Sequence, residues 1–286
     1  MAGLHLALIG QPVVRHDGDP PVPVAAALQP FLALLGLERD MACDRDRLID
    51  SLWPDAASDR GRHRLNTTVW RCRRLLCGNG DEVIVANRSG YVALDPTKIE
   101  VDVHGIARAL SDDRHAAAAR GDALALAHLR EAVHVDVTQF LAGNFDDWVV
   151  RTRHQLELAV VKGVETLLAV TEAPSDAIAW AELLVRLDPL REDAHRRLIR
   201  LYAETGRRAD ALRQYDVCVR NLKDDLGVEP LVETTLVAAA VRAGVAPLSA
   251  ELTDPRRALS ELRRALATCQ TAVDQIESAL AAMSRD

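Results

Sequence analysis

Six arginines stand between residues 60 and 74, at positions 60, 62, 64, 71, 73 and 74. A guanidinium keeps its charge at any physiological pH, and its planar fork can give two hydrogen bonds to guanine or hold a phosphate. Placed on a wheel at 100° per residue, Leu65, Val69, Cys72 and Leu76 fall within about 60° of one another. Roughly opposite lie Arg60, His63, Arg64, Thr67, Trp70, Arg71 and Arg74. One dry face and one arginine-rich face are what a helix needs to sit in a DNA major groove. A solvated surface helix has the same pattern, so the wheel alone does not decide. Two neighbouring features favour DNA: an aromatic Trp70 on the polar face, and a hairpin just beyond the helix whose tip, Arg88, can reach a minor groove or a phosphate.

The net charge of −7 argues against nucleic acid only until its distribution is read. Residues 1–59 carry four arginines and nine acids, and the chain after Gly90 is acidic again. Residues 60–90 carry seven arginines against Asp81 and Glu82. Phosphate contacts are local, so a basic island in an acidic chain is the better guide.

That helix needs elements to position it. Leu4–Ile9, Val13–His16 and Val22–Val24 are β-branched or alternating runs broken by Gly and Pro, and predict short antiparallel strands. Ala26–Glu38 predicts a helix with Pro30 in its first turn. Asp44 is a fitting N-cap for a second helix through Leu52, ended by Pro54. Ser58 or Asp59 can cap the arginine helix, which runs to about Cys77 and stops at Gly78-Asn-Gly80. Residues 82–86 and 91–94 then flank Asn87-Arg-Ser-Gly90 as a hairpin. Strands, three helices and a hairpin make a winged helix over residues 1–101.

From Asp102 strand signals vanish. Helices are expected near 103–118, 122–134, 145–172, 175–187, 191–205, 207–225 and 231–243, forming a second domain over 102–243. Leu198, Tyr202, Gly206, Ala211, Tyr215 and Cys218 have the spacing of a tetratricopeptide repeat, in which small residues let paired helices approach closely. A linker over 244–257 precedes a C-terminal helix over 258–286. Its apolar residues at 259, 262, 266, 269, 273, 276, 280 and 283 step by 3 and 4 without a break, as in a coiled coil. Leu259, Leu262, Leu266, Val273, Ile276 and Leu280 are therefore expected to form a homodimer seam, with packing back onto the helical domain as the alternative. The fold class is mainly α with a small β component: a winged helix-turn-helix, a tetratricopeptide-like α-helical repeat domain and a C-terminal coiled-coil helix.

Enzyme chemistry finds no foothold. There is no H-E-x-x-H, no G-x-S-x-G and no metal spacing among the nine histidines, so neither a catalytic residue nor a cofactor is implied. The five cysteines include no C-x-x-C pair and read as small apolar side chains in a reducing compartment, a redox sensor at Cys72 or Cys77 being the alternative. No apolar run is long enough to span a membrane, and the N-terminus does not read as a signal peptide, so a cytoplasmic protein is expected.

The motifs Asp46-Arg-Leu-Ile-Asp-Ser-Leu-Trp53-Pro, Leu65-Asn-Thr-Thr-Val69-Trp-Arg-Cys-Arg-Arg-Leu-Leu76 and Ser89-Gly-Tyr91 resemble the SARP family of bacterial activators. So do Phe145-Asp-Asp-Trp148, Asp188-Pro-Leu-Arg-Glu-Asp-Ala-His195, Gly206-Arg-Arg-Ala-Asp-Ala-Leu212-Arg-Gln-Tyr215 and Leu226-Gly-Val-Glu-Pro230. The resemblance spans about residues 4–243 and joins an OmpR-type winged helix to a bacterial transcriptional activator domain. It implies that helix 60–77 reads double-stranded DNA, that 87–90 is the wing, and that the Trp53–Asp59 loop, through Asp55 and Asp59, meets RNA polymerase. A ligand or protein partner at the helical domain is a further expectation. A helical-repeat scaffold without specific DNA binding is the alternative function. Two departures stand out: Ala25–Pro30 lacks the family's basic residues, and Cys72 replaces a larger aliphatic. Neither a receiver domain nor a G-x-x-x-x-G-K-[ST] loop is present.

Overall fold

The computed structural model describes residues 3–76, 82–86 and 90–244. Arg88, Cys77 and the expected C-terminal seam, including Leu259, Leu262, Leu266, Val273, Ile276 and Leu280, lie outside the described residues. The chain divides into two compact units, Met1–Ala194 and His195–Asp286.

In the first unit, strands β1 (Leu4–Ala7), β2 (Val13–His16) and β3 (Val22–Pro23) form the predicted antiparallel sheet. Leu4, Leu6 and Val14 are buried while His5 is exposed, the alternation that a sheet with one covered face requires. Helix α1 (Gln29–Leu37) starts three residues later than expected, with Pro30 in its first turn. Strand β4 (Ala42–Asp44) precedes α2 (Arg45–Leu52), whose N-cap Asp44 accepts from the amides of Asp46 at 2.8 Å and Arg47 at 3.4 Å. Helix α3 covers Ser58–Leu76. The hairpin of β5 (Ile84–Ala86) and β6 (Tyr91–Leu94) is present, and β4 pairs with β6 to make a three-stranded wing sheet. That third strand was not legible, because Ala-Cys-Asp has little strand propensity.

Strand β7 (Glu100–Val101) adds a parallel edge to β1, so the end of the expected N-terminal domain returns to its first sheet. Helix α4 (Asp102–Ala109) begins at once. Its Asp102 carboxylate accepts from the amides of Leu8 at 2.9 Å, Ile9 at 3.0 Å and Val103 at 2.6 Å. Burial pushes this carboxyl's pKa up, against the pull of those three amide donors. Gly36 of α1 lies so close to Val101 that a Cβ there would come within 2.9 Å of a valine methyl. The expected division at 101/102 thus falls inside one compact unit.

The helix expected over 103–118 is two helices, α4 and α5 (Asp112–Ala119). Ser111 breaks it: its backbone is extended and its hydroxyl donates back to the Arg108 carbonyl at 2.8 Å, a local bond that competes with helix continuation. Helices α6 (Ala123–Ala132), α7 (Asp147–Val170) and α8 (Pro174–Leu187) come next, with a 3-10 turn at Val137–Gln139. Ile9 bridges Phe140 just beyond that turn, and Arg153 of α7 donates to the carbonyls of Phe140 at 2.9 Å and Leu141 at 3.2 Å. The boundary between units falls in the first turn of α9 (Glu192–Glu204).

The second unit holds the rest of α9, α10 (Arg208–Leu226) and α11 (Val232–Ala243). Leu198, Tyr202, Ala211 and Cys218 are buried, as the repeat spacing requires, and Tyr215 is half-buried. Gly206 takes a φ of +76° between α9 and α10, a conformation that side chains resist.

Candidate nucleic-acid interface

Helix α3 is positioned from three sides. Its buried face is Gly61, Leu65, Thr68, Val69, Cys72 and Leu76, the predicted stripe extended by two small residues. Gly61 is a contact the wheel did not single out. A Cβ there would stand 2.5 Å from a methyl of Ile49, so glycine is what lets α3 close on α2. Arg45, at the start of α2, hydrogen-bonds Asn66 on α3 through its side chain and donates its backbone N–H to the Gly90 carbonyl at 2.8 Å. It therefore adjoins both the helix and the foot of the wing.

The wing is tied to the helix by Arg73. Its guanidinium donates to the Ile84 carbonyl through Nε at 3.3 Å and Nη2 at 3.1 Å, and pairs with Glu82 at 2.8 Å. Arg73 thus serves the protein's own packing.

Opposite the buried face, Arg60, His63, Arg64, Trp70, Arg71 and Arg74 are all exposed. Thr67 is half-buried, and its hydroxyl donates to the His63 carbonyl at 3.0 Å. Trp70, 56% exposed, carries the Arg74 guanidinium 5.0 Å from its ring centre. That stacking fixes two long side chains on the outer face without hiding them. Seven of the eight residues assigned to DNA by sequence thus lie on one helix face, and the eighth, Arg88, is outside the described residues. Arg62 also faces solvent, 3.9 Å from Asp59.

The Trp53–Asp59 segment is shorter as a loop than expected, because α3 already begins at Ser58 and Asp59 lies in its first turn. Asp55 and Asp59 are both exposed. Asp55 borders a shallow groove with Trp53, Arg60 and Arg64, so the acidic loop adjoins the basic face. Trp53, Trp148 and Trp180 are each half-buried.

Cys72 is fully buried, and desolvation pushes its thiol up to about 12. A buried, protonated thiol packs as a small apolar side chain, and the burial of Cys72 supports that reading at this position. Among the described residues no group of three or more His, Cys, Asp or Glu could hold a metal, and no helix is long and apolar enough to cross a membrane.

The model of the bacterial transcriptional activator domain family matches residues 94–242. The transcriptional regulatory protein EmbR of Mycobacterium tuberculosis is 28% identical over 237 residues, which is 79% of this chain and 60% of that protein. The regulatory protein AfsR of Streptomyces coelicolor is 26% identical over 276 residues, 94% of this chain and 26% of that one. The chain therefore spans less than two thirds of the length of the first relative and about a quarter of the second. A solved structure of M. tuberculosis EmbR in complex with a low-affinity phosphopeptide superposes with a TM-score of 0.58 at 25% identity, covering 96% of this chain and 72% of that one.

Proposed function

The chain belongs to the bacterial transcriptional activator domain family, and from that premise we propose that it is a sequence-specific DNA-binding activator that recruits RNA polymerase. The observation that carries this is the outer face of α3, where Arg60, Arg64, Arg71 and Arg74 stand clear of the packing and beside a wing that Arg73 holds in place. Arginine and Trp70 read base edges or grip phosphate there, and Arg45 adds a cation where α2, α3 and the wing meet. Asp55, and Asp59 at the start of α3, form the polymerase-facing surface.

Selection from random-sequence double-stranded DNA, followed by gel-shift titration over a range of salt, tests the DNA half. A recovered motif is expected, with an affinity that falls steeply as salt rises because phosphate contacts release counterions. Recovery of no motif leaves a helical-repeat interaction scaffold as the function. The polymerase half is tested by D55N and D59N in transcription with purified polymerase. Activation should fall while the gel-shift midpoint holds, and equal losses in both assays would assign the loop to DNA docking, next to Arg60 and Arg64.

A further inference from the structure

Helix α11 is apolar on two opposite sides. Thr234, Val237, Ala238 and Val241 form its buried face. Val232, Leu236, Ala239 and Ala243 are exposed, the first two at 71% and 59%. The exposed set steps by 4, 3 and 4 residues, so at 100° per residue it makes a straight stripe on the far side of the helix. Leu226, Val228 and Leu231, all exposed, lie next to it in the chain. A helix with one apolar face belongs at the end of an array, whereas one with two belongs inside it, and terminal units of helical repeats need a polar outer surface.

We propose that the outer face of α11 is the docking surface for the chain's own residues 259–283, which continue the array as its next antiparallel helix. The inference stands apart from the DNA-binding function. The sequence after Gly244 supplies what the face lacks: eight apolar residues from Leu259 to Met283 in the same alternation of 3 and 4. Ala258, Ala265, Ala272 and Ala279 flank that seam, and Ala239 and Ala243 sit within the stripe, so both surfaces allow close helix approach. The 13 residues between, 245–257, reach up to about 45 Å when extended, more than twice the roughly 18 Å length of α11. A tether of that size gives an effective concentration of order millimolar. At micromolar protein that tether favours pairing within the chain over pairing of two seams from separate chains wherever the two pairings have comparable intrinsic affinity.

The test uses the full chain, with light scattering for its mass and hydrogen exchange for residues 259–283. A monomer with protected amides in that segment is expected. V232E/L236E, which changes only exposed side chains, should speed exchange in 259–283 at least tenfold and leave α4–α8 unchanged. L262E/L266E, made on the seam itself, should expose the α11 face and raise the fluorescence of an apolar-surface dye. A dimer whose protection ignores V232E/L236E would overturn the proposal in favour of seam self-pairing. A dimer that V232E/L236E dissociates would overturn it in favour of exchange between copies. An unprotected segment in the unaltered chain would overturn it outright.

Discussion

In α3 the guanidinium groups of Arg60, Arg64, Arg71 and Arg74 stand in solvent, whereas in α9 those of Arg196 and Arg200 are drawn into the packing. Arg196 donates to the hydroxyl of Thr234, a residue with no exposed surface, at 2.9 Å. The Nε of Arg200 is buried with no hydrogen-bond partner among the described residues. Burial, together with the nearby Arg196 and Arg197, pushes the pKa of that guanidinium down, and Glu204 offsets part of the cost. Arginine content therefore says little about use. What separates the two helices is whether the arginine side faces a partner element. Opposite the arginines of α3 there is a complete apolar stripe, so they are free to serve something outside the chain.

The largest expected effect would break this contrast most directly. R71E/R74E should lower affinity for a selected DNA site about a hundredfold or more, since each lost base or phosphate contact costs about 1–3 kcal/mol. Its melting temperature should hold, because both side chains point away from the core. An unchanged gel-shift midpoint would remove α3 from the interface. For α9 the opposite pattern is expected. Thr234→Val keeps the shape but removes one acceptor from Arg196, which should cost about 1.5–3 kcal/mol of stability with DNA affinity unchanged. Measured by denaturant melts, a neutral result would mean that the Arg196–Thr234 bond adds nothing to the packing of α9.

Gly61→Val sharpens the comparison on the α3 side. Even a Cβ would stand 2.5 Å from Ile49, so the larger side chain should destabilise the chain by about 1–3 kcal/mol through overpacking. A wild-type melting curve would show that α2 and α3 have more room than this distance allows.

Much of this was legible in the residues. The wheel separated the two faces of α3 because periodicity reports burial, and the N-cap at Asp44 and the stop at Pro54 come from local chemistry. What the residues concealed depends on tertiary partners. Arg73 and Arg74 are neighbours of one type; the wheel left Arg73 off the outer face, but only the closeness of Ile84 and Glu82 shows what it binds instead. Gly61, by its type alone, is a weak helix former, and only the position of Ile49 gives it a purpose. Strand β7 and Asp102 joined the two expected domains into one unit because their partners, His5, Leu6, Leu8 and Ile9, lie more than 90 residues away in sequence.

The smallest expected effects concern those two neighbours, and they test the contrast within a single turn of helix. Arg73 bonds the Ile84 carbonyl twice and pairs with Glu82, while its side chain remains 36% exposed. A partly solvated tie of this kind contributes on the order of 1 kcal/mol. Arg73→Ala should therefore speed hydrogen exchange in Ile84–Ala86 about fivefold and leave the slope of log affinity against log salt where it was. Arg74 makes no bond to the wing among the described residues, and its neighbour in the fold is the ring of Trp70. If its charge neutralises one phosphate, Arg74→Ala should reduce that slope by about 0.9 and leave wing exchange unaltered. The two variants remove the same side chain at adjacent positions, so a shared cause such as lost helix propensity cannot mimic the crossed result. If both variants moved the salt slope equally, Arg73 would be a DNA contact and the wing would owe its position to the β4–β6 pairing and the Arg45–Gly90 bond.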